Sequence, residues 1–74
     1  MSIAVTIGSK IKIELNGQLQ ELQIVGSSEI NPKAGRISFL SPIGEAVLGK
    51  MENDSFTIKL PSGRTIEGQV IKIY

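Results

Sequence analysis

The segment Arg36–Lys50 constrains the fold of this chain most, because it predicts a strand that leads directly into a helix. Apolar and polar residues alternate in its first part, which is the period of a half-buried strand. Ser41 then stands where a helix N-cap belongs, and Pro42 follows at the first helical position. Gly49 suits the left-handed conformation that ends many helices. One side of this helix would be apolar through Ile43, Ala46 and Val47.

The same segment has most of the spacing of a nucleotide phosphate-binding loop. Gly44, Gly49 and Lys50 stand at the positions of that motif, but Met51 replaces the hydroxyl residue that would contact magnesium. The residues between the two glycines are suited to a helix. We therefore expect a capped helix and no nucleotide site. Since about two turns of helix are marginal in isolation, this helix should pack against a sheet.

Two hairpins are predicted on either side of this segment. Lys10–Leu15 and the strand from about Gln18 to Val25 alternate in polarity and are joined by Asn-Gly, the strongest short hairpin signal. Ser55–Leu60 and Arg64–Tyr74 form the second pair, joined by Pro-Ser-Gly. Strands that do not alternate with helices favour an α+β class. The sequence thus predicts an antiparallel sheet of about five strands around one short helix.

Three positions depart from simple alternation. Leu19 is out of phase, which indicates a bulge or exposure near the turn. The last strand changes phase between Val70 and Ile71, and Gly68 is a suitable place for a kink or bulge.

Composition narrows the possible chemistry. The 74 residues predict one domain, residues 1–74, with a net charge of +1 and neither cysteine nor histidine. Thiol nucleophiles, imidazole bases and the usual zinc ligands are thereby excluded, and we expect no catalytic site, metal or cofactor. Three aromatic residues are too few for a base-stacking platform, so we expect no sequence-specific nucleic-acid binding. Without a secretory signal or a long apolar run, the chain is expected in the cytoplasm.

Charged residues outside the hairpins have ordinary explanations. Glu52 and Asp54 could act as an acid–base or metal pair, but two carboxylates in a polar turn are more often solvated. Lys33, Arg36 and Lys50 could gather as a small basic patch for a phosphate or an acidic protein surface. Scattered, solvated cations are the alternative.

Three segments resemble the C-terminal domain of Gre-type (GreA/GreB) bacterial transcription elongation and transcript cleavage factors. These are Asn-Pro-Lys-Ala-Gly-Arg-Ile-Ser at 31–38, Ser-Pro-Ile-Gly-Glu-Ala-Val-Leu-Gly-Lys at 41–50 and Val-Ile-Lys-Ile-Tyr at 70–74. Residues 6–10 and 23–26 fit the opening hairpin of that domain. The resemblance therefore covers nearly the whole chain.

This resemblance implies a fold similar to that of FK506-binding proteins and a role in docking on RNA polymerase at the rim of its secondary channel. The docking surface of the family maps onto Ser41 and Pro42, with Leu40 and Ile43 beside them. Leu40 stands where the family often has a polar residue. In the family, a separate coiled coil carries the acidic residues used in RNA cleavage. This sequence has no counterpart of it, so we expect no cleavage chemistry and no enzyme activity.

Two functions from different classes remain open at this point, and a generic structural interaction domain is what remains if polymerase binding fails. The first is polymerase docking, as part of a Gre factor or as a stand-alone competitor. The second is a small peptidyl-prolyl isomerase or a proline-peptide binding module, which the fold similarity suggests. Such enzymes need an aromatic-lined pocket, and this sequence supplies few aromatic residues. The oligomeric state is also open, since exposed strand edges can pair.

Overall fold

The computed structural model of the chain describes residues 3–74. It contains five strands, one α-helix and two short 3₁₀ turns, at Ser27–Glu29 and Pro32–Ala34. The strands and the helix are β1 (Lys10–Leu15), β2 (Gln18–Val25), β3 (Arg36–Ser38), α1 (Pro42–Val47), β4 (Ser55–Lys59) and β5 (Thr65–Ile73). The predicted α+β class, the strand count and the single helix are confirmed.

All five strands form one sheet, in the order β3-β2-β1-β5-β4. The β1/β2, β1/β5 and β4/β5 pairs are antiparallel, whereas β2 and β3 pair in parallel. The sheet is therefore mixed at one edge, where we expected it to be antiparallel throughout. The reason is the length of the connection between β2 and β3. Residues 26–35 are long enough to bring the chain back, so that β3 runs in the same direction as β2, whereas a tight hairpin turn would make the two strands antiparallel.

The core lies between the inner face of the sheet and α1. Its fully or nearly buried side chains come from the alternating positions of β1, β2, β4 and β5, together with one residue before β1 and one on α1. These residues are Val5, Ile11, Ile13, Leu22, Ile24, Val47, Phe56, Ile58 and Val70. Alternation in the sequence thus marks the inner face of each strand correctly.

The irregular positions have separate explanations. Leu19 pairs in register with Glu14 and its side chain is 60% exposed, so it is an exposed residue and not a bulge. The bulge lies in β5 at Ile71, because Lys12 pairs with Lys72 whereas the next residue of β1 pairs with Val70. The predicted phase change is confirmed, but it comes from Ile71.

Gly68 has a packing role instead. A Cβ atom there would lie 2.6 Å from the Phe56 ring and 2.7 Å from the Glu14 carbonyl oxygen. Glycine lets β5 approach β1 and the aromatic core closely.

The segment before β1 holds the end of α1. Val5 is only 1% exposed, and its backbone N–H donates to the Lys50 carbonyl oxygen at 2.8 Å. The Gly49 N–H in turn donates to the Val5 carbonyl oxygen at 2.9 Å. These two bonds give backbone groups near the helix end a partner.

Candidate docking site

A network of hydrogen bonds fixes the turn that leads into α1. The Ser41 hydroxyl donates to the Ser38 carbonyl oxygen at 2.7 Å and accepts from the Gly44 N–H at 3.1 Å. The Leu40 N–H donates to the Ser38 hydroxyl at 3.0 Å. The predicted N-cap at Ser41 is confirmed. Because its hydroxyl already donates one bond and accepts another, Ser41 acts here mainly as a structural cap.

Close backbone packing also holds α1 against the end of β3. Gly44 is buried, and a Cβ atom there would collide with the Ser38 carbonyl and lie 2.9 Å from the Phe39 Cα. Only glycine allows α1 to lie this close to the end of β3. Sequence reasoning assigned Gly44 to the helix but missed this contact, because neighbours in space leave no local pattern.

The remaining predictions for the helix agree with the structure. Val47 is fully buried, and Ile43 and Ala46 are partly buried against the core. Gly49 has a φ of 80°, which is the left-handed conformation expected after a helix. The resemblance to a phosphate-binding loop is therefore explained by a capped helix that ends in glycine.

Two of the four predicted docking residues are well exposed. Leu40 is 62% exposed and Pro42 is also exposed, whereas Ser41 and Ile43 are partly buried. Leu40 projects from a turn whose backbone is fixed, although an exposed leucine contributes little to the stability of the fold. The structure therefore presents Leu40 and Pro42 to solvent on a turn held by hydrogen bonds.

Beside this turn lies a shallow depression, which we name the docking groove. Its volume is about 320 Å³. The lining residues come from the turn, from α1 and from the edge strand β4, and they are Leu40, Pro42, Glu45, Ala46, Thr57 and Lys59. Sequence reasoning missed Thr57 and Lys59, although the alternation in β4 places both on its exposed side. No local signal shows that β4 lies next to α1.

The three cations considered as a patch fall into two groups. Lys33 lies in the second 3₁₀ turn, close in sequence to Arg36 on β3, and both are exposed. Lys50 lies beyond α1 and lines a different depression, together with Glu14 and Phe56. The structure thus separates Lys50 from the pair at the β3 edge.

The two turn carboxylates have structural partners. Asp54 accepts a hydrogen bond from the Met51 N–H at 2.9 Å, and Glu52 accepts one from the Ile73 N–H at 3.0 Å. The first bond lies within the turn between α1 and β4, and the second joins that turn to β5. Within residues 3–74, no three acidic, histidine or cysteine side chains lie together in a way that could hold a metal ion. No helix in that range is long and apolar enough to cross a membrane.

The sequence family follows from comparison with known proteins. The family described as "Transcription elongation factor, GreA/GreB, C-term" matches residues 2–74. The chain belongs to this family. Among its curated relatives, GreA of Thermomicrobium roseum is 39% identical over 69 residues, which cover 93% of this chain and 44% of that protein. GreA of Chloroflexus aggregans is 48% identical over 61 residues, which cover 80% and 39%.

Solved structures agree with the GreA/GreB assignment. The transcription factor Gfh1 matches with a TM-score of 0.82 and 30% identity, over 97% of this chain and 48% of its own. Gfh1 of Thermus aquaticus matches with a TM-score of 0.80 and 27% identity, over 99% of this chain and 49% of its own. A GreA/GreB factor of Nitrosomonas europaea has the same fold, with a TM-score of 0.73 at 22% identity. The chain spans less than half the length of these curated relatives.

Proposed function

We propose that this chain docks on bacterial RNA polymerase at the rim of the secondary channel, through Leu40, Pro42 and the docking groove. Membership of the GreA/GreB C-terminal family supports the choice of partner. The observation that carries the choice of surface is Leu40, an apolar side chain 62% exposed on a turn fixed by Ser38 and Ser41. Docking on polymerase would place the chain in the cytoplasm.

The rigidity of the turn favours this surface for binding. An interface residue on a mobile loop loses conformational freedom when it binds, and that loss reduces affinity. Leu40 avoids most of this loss, because its own N–H and the adjacent cap at Ser41 are already bonded. The exposed side chain can therefore contact a partner without first ordering the backbone.

The docking groove adds polar contacts around this apolar residue. Pro42 and Ala46 extend the apolar surface, whereas Glu45 and Lys59 supply one charge of each sign at its margin. An apolar centre with a polar rim is the usual composition of a protein interface. A single groove of this size predicts a small interface and weak binding.

Binding without RNA cleavage is part of the proposal. Glu52 and Asp54 each accept a hydrogen bond from a backbone N–H around the turn before β4, which gives both carboxylates a structural role. The isolated chain would occupy the docking position and exclude a full-length Gre factor. It would regulate by competition and not by catalysis.

The prolyl isomerase alternative gains no support from the aromatic side chains. Phe56 is 3% exposed in the core, and the Tyr74 hydroxyl donates to Glu21 at 2.7 Å. Phe39 packs partly buried against the core. A turnover assay with a prolyl peptide serves as the control, and we expect no activity above background.

The proposal is tested by competition in a transcript cleavage assay. A backtracked complex of the cognate polymerase receives a fixed amount of full-length Gre factor and increasing amounts of this chain. We expect cleavage to fall as the chain is added, and no cleavage when the chain is added alone. A folded chain that leaves cleavage unchanged at saturating concentration would overturn the docking proposal.

A further inference from the structure

The outer face of the sheet, on the side away from α1, carries an ordered row of polar side chains. The register places Arg36 beside Gln23 and Gln23 beside Lys10, across β3, β2 and β1. Tyr74 extends this row, because its N–H donates to the Lys10 carbonyl oxygen at 2.8 Å. Strand neighbours of these residues face the core, so the side chains of the row point outward.

A second row lies directly beside the first. Glu21 of β2 pairs with Lys12 of β1, and Lys12 pairs with Lys72 of β5. Like charges directly opposite each other on a sheet are destabilising, so the Lys12–Lys72 pairing is itself unfavourable, although Lys12 also faces Glu21 and Lys72 lies over the Tyr74 ring. We name the cations of the two rows the basic face: Lys10, Lys12, Arg36 and Lys72.

Charge on the outer face is segregated. The basic face holds four of the eight lysines and arginines of the chain, whereas Glu14 and Glu67 lie further along β1 and β5. Glu21 is the acidic residue within the two rows, and its carboxylate accepts the Tyr74 hydroxyl at 2.7 Å. The basic face is therefore locally positive although the net charge of the whole chain is only +1.

A small pocket of about 130 Å³ lies on this face. Lys10 and Arg36 both line it, with Gln23 between them, and Glu21 and Gly35 are also part of the lining. The two cations outnumber the one carboxylate, and with the amide donor they are suited to the oxygens of a phosphate group.

Tyr74 adds a group that recognises more than charge. Its side chain is 55% exposed, and the Lys72 ammonium lies 5.3 Å from the ring centre. An exposed aromatic ring next to phosphate-binding cations is the combination by which proteins bind single strands, with a base stacked on the ring.

We propose that the basic face binds single-stranded nucleic acid, with phosphates on its four cations and a base on Tyr74. This site is distinct from the docking groove, since none of the four cations or Tyr74 lines that groove. A strand in this position would be held without sequence readout, because the contacts are to the backbone and to an aromatic face that any base can cover.

Fluorescence anisotropy with a labelled single-stranded RNA of about 12 nucleotides, in low salt, tests the proposal. We expect saturable binding whose affinity falls as salt is raised, with a slope of log K against log salt of about −2 to −3 for three to four phosphate contacts. Single-stranded DNA should bind similarly. A duplex of the same length should bind more weakly, and equal or tighter duplex binding would contradict the stacking contact.

Two double variants that each remove two positive charges distinguish binding at the basic face from general electrostatic attraction to the chain. Lys12→Gln combined with Lys72→Gln should weaken RNA binding at least tenfold and reduce the salt slope by about 1.4. The matched control is Lys59→Gln combined with Arg64→Gln, two exposed cations at the far end of β4 and its turn. Equal weakening by the two pairs would overturn the proposal.

Variants of Tyr74 test the stacking contact. Tyr74→Phe keeps the ring and should retain RNA affinity, whereas Tyr74→Leu should lose about fivefold or more. Thermal melting of each variant shows whether the fold is retained, and affinities are compared among folded variants. If polyglutamate of equal charge displaces the RNA as well as unlabelled RNA does, the assignment to nucleic acid is wrong. Neither result depends on polymerase, so docking can fail or succeed independently.

Discussion

Two connections in this fold have similar sequence signals and different structures. Residues 26–35 join β2 to β3, and residues 39–49 comprise the turn after β3, α1 and the two residues that follow it. In each connection a proline stands at the start of a helical turn: Pro32 in the first and Pro42 in the second. In each, a glycine in the left-handed conformation follows that turn: Gly35 in the first and Gly49 in the second. Only the second has a side-chain cap and buried residues. Proline and glycine set where a turn begins and ends, whereas burial and capping make it rigid.

This difference has a functional consequence. The rigid connection carries Leu40, whereas the connection at residues 26–35 carries an exposed apolar residue of its own, Ile30, at 46% exposure. Exposure alone therefore does not distinguish Leu40 from Ile30. The hydrogen-bonded backbone around Leu40 does distinguish them, because a fixed backbone lowers the conformational entropy lost on binding.

Substitution of the buried helix residue should have the largest effect. Val47 is fully buried, so Val47→Asp places a carboxylate in the core and should cost about 4 kcal/mol or more in unfolding free energy. A domain of this size has a total stability of about 4–11 kcal/mol. Ile30→Asp in the other connection is the control and should stay within about 0.5 kcal/mol. Similar denaturant midpoints for both variants would show that the two connections do not differ in burial.

Substitution by alanine should change stability in opposite directions at the glycines of the two connections. Gly44→Ala would gain about 1 kcal/mol from helix propensity alone, but its Cβ would collide with the β3 end, and we expect a net loss of about 1–3 kcal/mol. At Gly26 nothing lies within 4 Å and φ is −72°, so Gly26→Ala should be neutral or stabilising by about 0.4–1 kcal/mol. Thermal melting of both variants gives the comparison. A more stable Gly44→Ala would mean that α1 is not packed this closely.

The cap should have a smaller effect. Ser41→Ala removes the acceptor for the Gly44 N–H and should cost about 1 kcal/mol. Ser28→Ala, at an exposed position in the first 3₁₀ turn, should cost less than about 0.5 kcal/mol. Equal losses in chemical denaturation would remove the distinction between a capped and an uncapped connection.

The smallest effect is expected away from both connections, at Tyr74. Its hydroxyl donates to the Glu21 carboxylate, and this bond raises the pKa of Tyr74 above the usual 10.0. A raised folded-state pKa gives a contribution to stability that is present below pH 10 and lost as pH rises through the folded pKa. Ultraviolet titration should show a higher midpoint in the folded chain than in urea. Tyr74→Phe should remove the corresponding pH dependence, and an unchanged dependence would assign it to another group.

Sequence reasoning recovered the local features well. The Asn-Gly hairpin, the Ser41 cap and the alternating strands each depend on residues close in sequence, and each is present in the structure. The parallel pairing of β3 was missed because nothing local in residues 26–35 fixes which strand edge the chain reaches next.

Non-local contacts account for the other gaps. The fit of Gly44 against β3 and the approach of Gly68 to Phe56 depend on residues brought together by the sheet. The same holds for the candidate site: Leu40 and Pro42 follow from the family resemblance, whereas Thr57 and Lys59 join them only through the position of β4.

The affinity of this chain for core RNA polymerase, measured for two matched variants, tests the docking surface most directly. Leu40→Ala and Leu19→Ala each truncate a leucine of nearly equal exposure, 62% and 60%, and only Leu40 borders the docking groove. Alanine removes the apolar contact without introducing the polarity that the family often has at position 40. Both variants should stay folded in circular dichroism, because neither leucine belongs to the core. We expect Leu40→Ala to weaken polymerase binding about tenfold, as for a residue that dominates an interface, and Leu19→Ala to leave it unchanged. Equal affinity for the wild type and a folded Leu40→Ala variant would contradict the proposed docking surface.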